Sequence, residues 1–195
     1  METRTYQVYK FHELTKEQQK KVLDNYRYWN VEGDWQGFVI DEWIEKLKEF
    51  GFADATISFS GFGSQGDGAS FTAKDVNIDT FLKKTDTTKL YPYSKNTSAY
   101  FWLERIDHHY SHEYSVRVRW EWDNDRDEHL SEVEEEQLED ISKFMELKRR
   151  KLSIELYNDL QSEYEYLTSD EALTEFWNEN SGYFFTADGK LDTTK

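Results

Sequence analysis

The sequence predicts an α+β fold: an antiparallel sheet of about five strands packed with helices, and a long C-terminal helix. Stretches that alternate apolar and polar residues predict the strands, and capped segments with helical spacing predict the helices. Aromatic residues make up 17% of the chain, which argues against disorder and indicates a core built from large rings. The length of 195 residues suits a single domain. We expect its core at 1–125 and a helical part with a final strand at 126–195.

The N-terminal part of the chain predicts one strand and two helices. Alternation at 4–11 predicts the strand. Thr15 and Gln18 have the spacing of a capping box, in which each side chain satisfies an N–H group at the start of a helix. A second helix is predicted at 35–50, and Gly51 stands where glycine commonly ends a helix.

The middle of the chain predicts two hairpins separated by a short helix. The segments 55–62 and 71–76 are expected to pair, and Asn77 is expected to cap the helix that follows. The segments 98–107 and 113–123 alternate apolar side chains with polar or charged ones. This alternation is typical of half-buried strands, so we expect them to form the second hairpin.

The last part of the chain predicts a long helix, a short helix and a strand. An acidic block at 123–140 leads into a helical pattern with one apolar stripe that extends to about residue 166. Basic residues at 148–151 follow the acidic ones, an order that agrees with the helix dipole. Ser169 is expected to cap the short helix, and 183–185 to form the final strand.

Composition narrows the class of function. The chain has 40 acidic and 24 basic residues, and its formal charge of −16 repels both nucleic acid and anionic membranes. The absence of cysteine excludes disulfides, thiolate metal sites and cysteine nucleophiles. Residues 1–5 lack the apolar segment of a signal peptide, and no apolar run is long enough for a membrane span. We therefore expect a cytoplasmic protein that binds neither nucleic acid nor membranes directly.

Glycine is concentrated at 60–71, where four of the nine glycines lie between two strand patterns. Glycine permits positive φ and close approach of other groups, so the segment predicts a concave loop whose N–H groups hold an anion. A bulged hairpin without a ligand is the alternative. The letters at 61–66 match G-x-G-x-x-G, but a strand pattern follows, which excludes a dinucleotide-binding fold. The candidate ligand-binding residues are Ser64, Gln65, Gly66, Asp67, Gly68 and Ser70.

Histidines are concentrated at the expected tip of the second hairpin, where three of the five occur. Their ring nitrogens would suit an anionic or polar ligand, and exposed tip histidines without a ligand are the alternative. In a straight strand the Cα atoms of His108 and His112 would lie about 13 Å apart, too far to share a metal ion, and we predict no metal site. The candidate ligand-binding residues are His108, His109, Tyr110 and His112.

Aromatic and basic residues on the second hairpin complete the candidate site. Trp102 and Trp120 could stack a base, with core packing as the alternative. Arg117 and Arg119 could neutralise a phosphate, with pairing to glutamates across the strands as the alternative. Carboxylates are too numerous for one catalytic pair to stand out, so we predict no catalytic residue and no cofactor.

Four segments occur in a recognisable order: 6–15, the SQGDGASF motif at 64–71, 110–113 and 163–172. Together they resemble a family of small acidic proteins of bacteriophages and prophages that are often labelled antitoxin-like. The resemblance covers nearly the whole chain. It implies a phage-encoded protein in the host cytoplasm, and that the glycine and histidine motifs belong to one feature. It supplies no catalytic residues.

Two kinds of binding function follow from these observations. The first is a phage accessory protein of anti-defence type that binds and sequesters a small nucleotide-like anion. The alternative is an acidic, antitoxin-like inhibitor of a host defence or toxin protein, which would imitate nucleic acid through 123–140. A nucleotide-cleaving enzyme with His109 or His112 as acid or base is the least favoured. The sequence is also compatible with a homo-oligomer.

Overall fold

The computed structural model describes residues 7–89, 99–122 and 131–193. Its α-helices are, in chain order, α1 (Lys16–Asn25), α2 (Gly37–Glu49), α3 (Ile78–Lys84), α4 (Glu132–Leu167) and α5 (Asp170–Glu179). Its strands are β1 (Val8–Tyr9), β2 (Phe52–Ala53), β3 (Thr56–Ser60), β4 (Gly68–Thr72), β5 (Asp75–Val76), β6 (Ala99–Arg105), β7 (Val116–Trp122) and β8 (Phe185–Thr186). This mixture, with its long helix α4, confirms the α+β class.

The chain divides into two compact units. The central unit is Gly37–Gln161, and the terminal unit combines Met1–Gln36 with Ser162–Lys195. Helix α4 continues through the division at Gln161, so its last residues belong to the terminal unit. The boundary predicted between 125 and 126 lies outside the described residues. None of the helices within those residues is both long enough and apolar enough to cross a membrane.

Antiparallel strand pairs form the sheet part of the central unit. Strand β3 pairs with β4, β6 with β7, and β2 with β5. One bridge joins the two longer hairpins, where the Leu103 N–H donates to the Ala73 carbonyl at 2.8 Å. The sequence predicts one sheet of about five strands. The described strands pair two by two, and the strand pairing between the longer hairpins is limited to this bridge.

Helix α4 supplies one side of the core of the central unit. Its apolar stripe is buried as predicted, from Leu138 through Met145 to Leu160. Asp159 accepts a hydrogen bond from the Trp43 indole of α2 at 2.9 Å, and the Phe144 ring packs edge-on against Phe81 of α3 at 5.7 Å. The helix therefore holds α2 and α3 in place.

The terminal unit has an aromatic core, in which the Trp177 and Phe185 rings meet edge-on at 5.1 Å. The predicted caps of its helices are present: Thr15 and Gln18 form the capping box of α1, and the Ser169 hydroxyl accepts the Ala172 N–H at 3.1 Å. Strand β1 ends at Tyr9, before the predicted end at residue 11, because a 3-10 helix, Phe11–Glu13, follows it, and the predicted strand residues 4–6 lie outside the described residues. The Glu13 carboxylate accepts the Lys10 N–H at 2.8 Å and fixes this turn of the chain.

Candidate functional site

The glycine segment forms a tight turn between β3 and β4. The Asp67 N–H donates to the Ser64 carbonyl at 3.1 Å and closes the turn. Gly66, its third residue, has a positive φ of 93°, a conformation that glycine adopts without steric cost. The Asp67 carboxylate accepts the Ser64 N–H at 2.6 Å. Ser64 and Gln65 are exposed. The backbone N–H group of Ser64 is thus already occupied by an anion of the protein itself.

The histidine segment, residues 107–113, packs directly against Gly66 and Gly68. A Cβ atom added to Gly66 would lie 2.7 Å from the Tyr110 ring, and one added to Gly68 would lie 2.6 Å from His112 Cβ. The structure therefore brings the two motifs together. The space that the glycines leave open is filled by Tyr110 and His112.

Arg105 ties the histidine segment to the first hairpin. Its Nη2 donates to the buried Ser70 hydroxyl at 3.3 Å. Its Nη1 donates to the Tyr110 carbonyl at 3.3 Å and to the Ser111 hydroxyl at 3.4 Å. The buried Ser70 thus serves this internal network.

Asp107 and Tyr114 fix the tip of the hairpin. The Asp107 carboxylate accepts the backbone N–H groups of His109 at 2.8 Å and Tyr110 at 3.3 Å, which holds the pKa of Asp107 below its usual value. His108 and His109 are exposed. The half-buried His112 accepts the Tyr114 N–H at its Nδ1 atom, at 3.1 Å. In the described part of the chain, no three acidic or histidine side chains are grouped so that they could hold a metal ion.

The two candidate tryptophans lie on opposite faces of the second hairpin. Trp120 stands opposite Phe101 on the inner face, and their rings stack at 6.3 Å. Trp102 stands opposite Arg119 on the outer face. The tryptophans therefore do not form one platform for a base.

The two candidate arginines of β7 differ in their partners. Arg119 pairs with Glu104 across the strands at 2.8 Å, as the alternative interpretation expected. Arg117 has no ion-pair partner among residues 7–89, 99–122 and 131–193. Arg117 lines a cleft between β7 and α4.

This cleft, which we call the β7–α4 cleft, has a volume of about 270 Å³. It combines three cationic side chains with two carboxylates and a hydroxyl, in a chain of formal charge −16. Its lining residues are Arg117, Val118, Glu139, Ser142, Lys143, Glu146 and Arg150. With three cations against two carboxylates, the lining carries a net formal charge of +1 on a strongly negative protein.

Glu146 anchors the floor of the cleft. Its Oε1 accepts from Arg149 Nη2 at 2.8 Å and from Arg150 Nε at 2.9 Å. Its Oε2 accepts from Arg149 Nε at 3.2 Å and from the Val118 N–H at 3.1 Å. Burial is the largest single influence and opposes the ionisation of Glu146. The hydrogen bond from Arg149, the charges of Arg149 and Arg150 and the hydrogen bond from the Val118 N–H together outweigh it and hold the pKa below its usual value of 4.5. Glu146 is thus a fixed anion with four donors.

Arg149 lies beneath the cleft and is completely buried, at 0% exposure. Besides Glu146, its Nη2 atom donates to the Glu113 carbonyl at 2.7 Å. One buried guanidinium therefore connects the floor of the cleft with the histidine segment. Its Nη1 atom has no hydrogen-bond partner within the described part of the chain.

Arg150 and Lys143 line the cleft from α4. The Arg150 guanidinium lies over the Tyr114 ring at 4.8 Å from its centre, while its Nε atom is held by Glu146. Lys143 pairs with Asp140 at 3.4 Å and with Glu139 at 3.7 Å, and all three side chains are exposed. Arg150 is therefore preorganised, whereas Lys143 is held only by exposed pairs.

Sequence reasoning identified Arg117 but missed the residues that α4 contributes. Ser142, Glu146 and Arg150 recur every four residues and so lie along one face of the helix, beside the apolar stripe. That polar stripe was the available signal. Its apposition to Arg117 required the tertiary structure.

The cleft lies within the part of the chain that a known family model covers. That model, described as a domain of unknown function (DUF8835), matches residues 35–170, which is more than half of the chain. Comparisons with curated proteins and with solved structures give no match. The chain therefore belongs to the DUF8835 family, whose function is unknown.

Proposed function

We propose that the protein binds and sequesters a small nucleotide-like anion in the β7–α4 cleft. The observation that carries the proposal is the convergence of Arg117, Lys143 and Arg150 on one cleft, with Arg117 unpaired among the described residues. Arginine guanidinium groups bind phosphate through paired hydrogen bonds. A cationic cleft can attract a small anion, while the overall charge of −16 repels extended polyanions such as nucleic acid.

The size and chemistry of the cleft favour capture of a small ligand. Its volume of about 270 Å³ lies near the lower limit of ligand pockets, which span roughly 300–1,000 Å³. Its most buried carboxylate, Glu146, already accepts four hydrogen bonds and so is poorly suited to act as a general base. Sequestration is therefore favoured over cleavage. The setting we propose is that of a phage accessory protein of anti-defence type in the host cytoplasm.

Replacing Arg117 with alanine is expected to weaken binding of a nucleoside monophosphate about tenfold or more, because a charge-assisted hydrogen bond is lost. Isothermal titration calorimetry measures the change. Arg119→Ala is the matched control, because it removes the same charge from the same face of β7 but outside the cleft. Equal losses in the two variants would show that only long-range charge matters and would contradict a site in the cleft.

A second candidate is an acidic inhibitor of a basic host protein. Glu132, Glu135 and Glu136, at the start of α4, are exposed and have no ion-pair partner within the described residues. The first part of the proposed acidic surface 123–140, residues 123–130, lies outside those residues. Charges displayed along a helix can attract a basic partner.

Reversing these three charges to lysine is expected to abolish co-purification of such a partner from host cells, because the electrostatic attraction is removed. Mass spectrometry of the purified complexes measures the outcome. Arg117→Ala serves as the comparison, since it alters the cleft but not the acidic surface. A partner retained by the triple variant would rule out the acidic surface as its binding site.

A further inference from the structure

We infer that Tyr114 and Arg150 form a stacking platform for the base of the ligand, so that the β7–α4 cleft takes a nucleoside monophosphate in preference to a bare sugar phosphate. This inference rests on the function proposed for the same cleft and names its ligand class. Tyr114 is not among the ligand-binding residues that the sequence predicted.

Tyr114 presents an exposed ring in a fixed position. The residue is 56% exposed, although its N–H donates to His112 Nδ1 at 3.1 Å and its ring lies 5.9 Å from the His112 ring. The Arg150 guanidinium lies over the ring at 4.8 Å. A cation over an aromatic ring is attracted by the negative face of its π-system. The pair is therefore ordered before any ligand arrives.

Arg150 connects this ring with the cleft. One edge of its guanidinium is held by Glu146 at 2.9 Å, and one face is covered by Tyr114. In the proposed complex the base stacks on the guanidinium face that Tyr114 does not cover, because Arg150 both contacts Tyr114 and lines the cleft. Bases stack on guanidinium planes as well as on aromatic rings. A base in this position would complete a stack of three layers.

The remaining cations of the cleft suit the other end of such a ligand. With Arg150 engaged by the base, Arg117 on β7 and Lys143 on α4 remain to bind the phosphate. Glu139 and Glu146 limit the net positive charge of the lining, which favours a single phosphate over a polyphosphate chain.

The tryptophans of the hairpin are not placed to stack this base. Trp120 already stacks on Phe101 on the inner face, and Trp102 projects on the outer face beside Arg119. The Tyr110 ring covers Gly66. The Tyr114 ring, by contrast, contacts Arg150, a cation that lines the cleft.

Calorimetric titration with adenosine 5′-monophosphate, ribose 5-phosphate and inorganic phosphate tests the platform. We expect the nucleotide to bind at least about tenfold more tightly than ribose 5-phosphate, because ribose 5-phosphate has no base to stack on the platform. Tyr114→Ala and Arg150→Lys are each expected to bring this ratio close to one. Tyr114→Phe, which keeps the ring, is expected to preserve it, as is the control Tyr100→Ala on β6.

The outcomes separate the platform from the proposed function. If the natural protein binds the nucleotide and ribose 5-phosphate about equally, or if Tyr114→Ala and Arg150→Lys leave the ratio of the two affinities unchanged, the platform is wrong. Binding of phosphate would in that case still support the cleft. Failure of all three compounds to bind the natural protein overturns both proposals. Upfield shifts of the adenine protons in the bound state would support the stack directly, and circular dichroism confirms that each variant is folded.

Discussion

Replacing Arg149 with methionine is expected to lower the free energy of unfolding by about 3–5 kcal/mol, the usual cost of removing one partner from a buried ion pair. Arg149 is completely buried, and it donates to both carboxylate oxygens of Glu146 and to the Glu113 carbonyl. Methionine fills much of the same space but donates no hydrogen bond. In the variant, Glu146 keeps two of its four hydrogen-bond donors, and the Glu113 carbonyl loses the hydrogen bond from Arg149.

Urea unfolding followed by tryptophan fluorescence measures this loss. Arg150→Met is the matched control, because Arg150 binds the same carboxylate from a side chain that is 36% exposed. Its cost is expected to stay below about 1 kcal/mol, as for other partly exposed ion pairs. Glu146→Gln combined with Arg149→Met should cost less than the sum of the single changes. Similar costs for Arg149→Met and Arg150→Met would contradict the role of burial.

Replacing Gly68 with alanine is expected to lower the free energy of unfolding by about 1–3 kcal/mol, the usual cost of overpacking. The new Cβ would lie 2.6 Å from His112 Cβ and 2.7 Å from His112 Cα. The Cα is a backbone atom and cannot rotate away, so the whole histidine segment would have to move. That segment is held by Arg105, which resists such a movement.

Thermal denaturation of Gly68→Ala and Gly61→Ala provides the comparison. Gly61 lies in the same segment, but the nearest neighbour of its added Cβ would be the Asp67 carboxylate at 3.5 Å, an ordinary contact. We expect Gly61→Ala to change stability by no more than about 0.5 kcal/mol. If Gly68→Ala melts at the same temperature as the natural protein, the close packing of the two hairpins described above is incorrect.

Local rules predicted the ends of several elements. Thr15, Asn77 and Ser169 cap helices where the sequence places caps, because a cap depends only on residues within one turn. The alternation along β7 likewise predicted which of its side chains face inward. The α+β class followed from such signals.

Contacts between distant segments could not be predicted from the sequence. The glycines indicated close approach, but their spacing could not tell that Tyr110 and His112, rather than a ligand, approach Gly66 and Gly68. Arg149 occupies a position in the apolar stripe of α4, where its charge conceals its burial. The β7–α4 cleft could not be predicted, because Arg117 and Arg150 line it from elements that are distant in the sequence and no local pattern places them together.

The hydrogen bond between the Val118 N–H and Glu146 has a consequence for self-association. Within the described residues β7 pairs with β6 alone, so its other edge offers unpaired backbone groups of the kind that recruit strands from neighbouring molecules. Glu146 occupies one of these donors at 3.1 Å, and a neighbouring strand would first have to displace a carboxylate bound by two arginines. The floor of the cleft thus also protects an open sheet edge against aggregation.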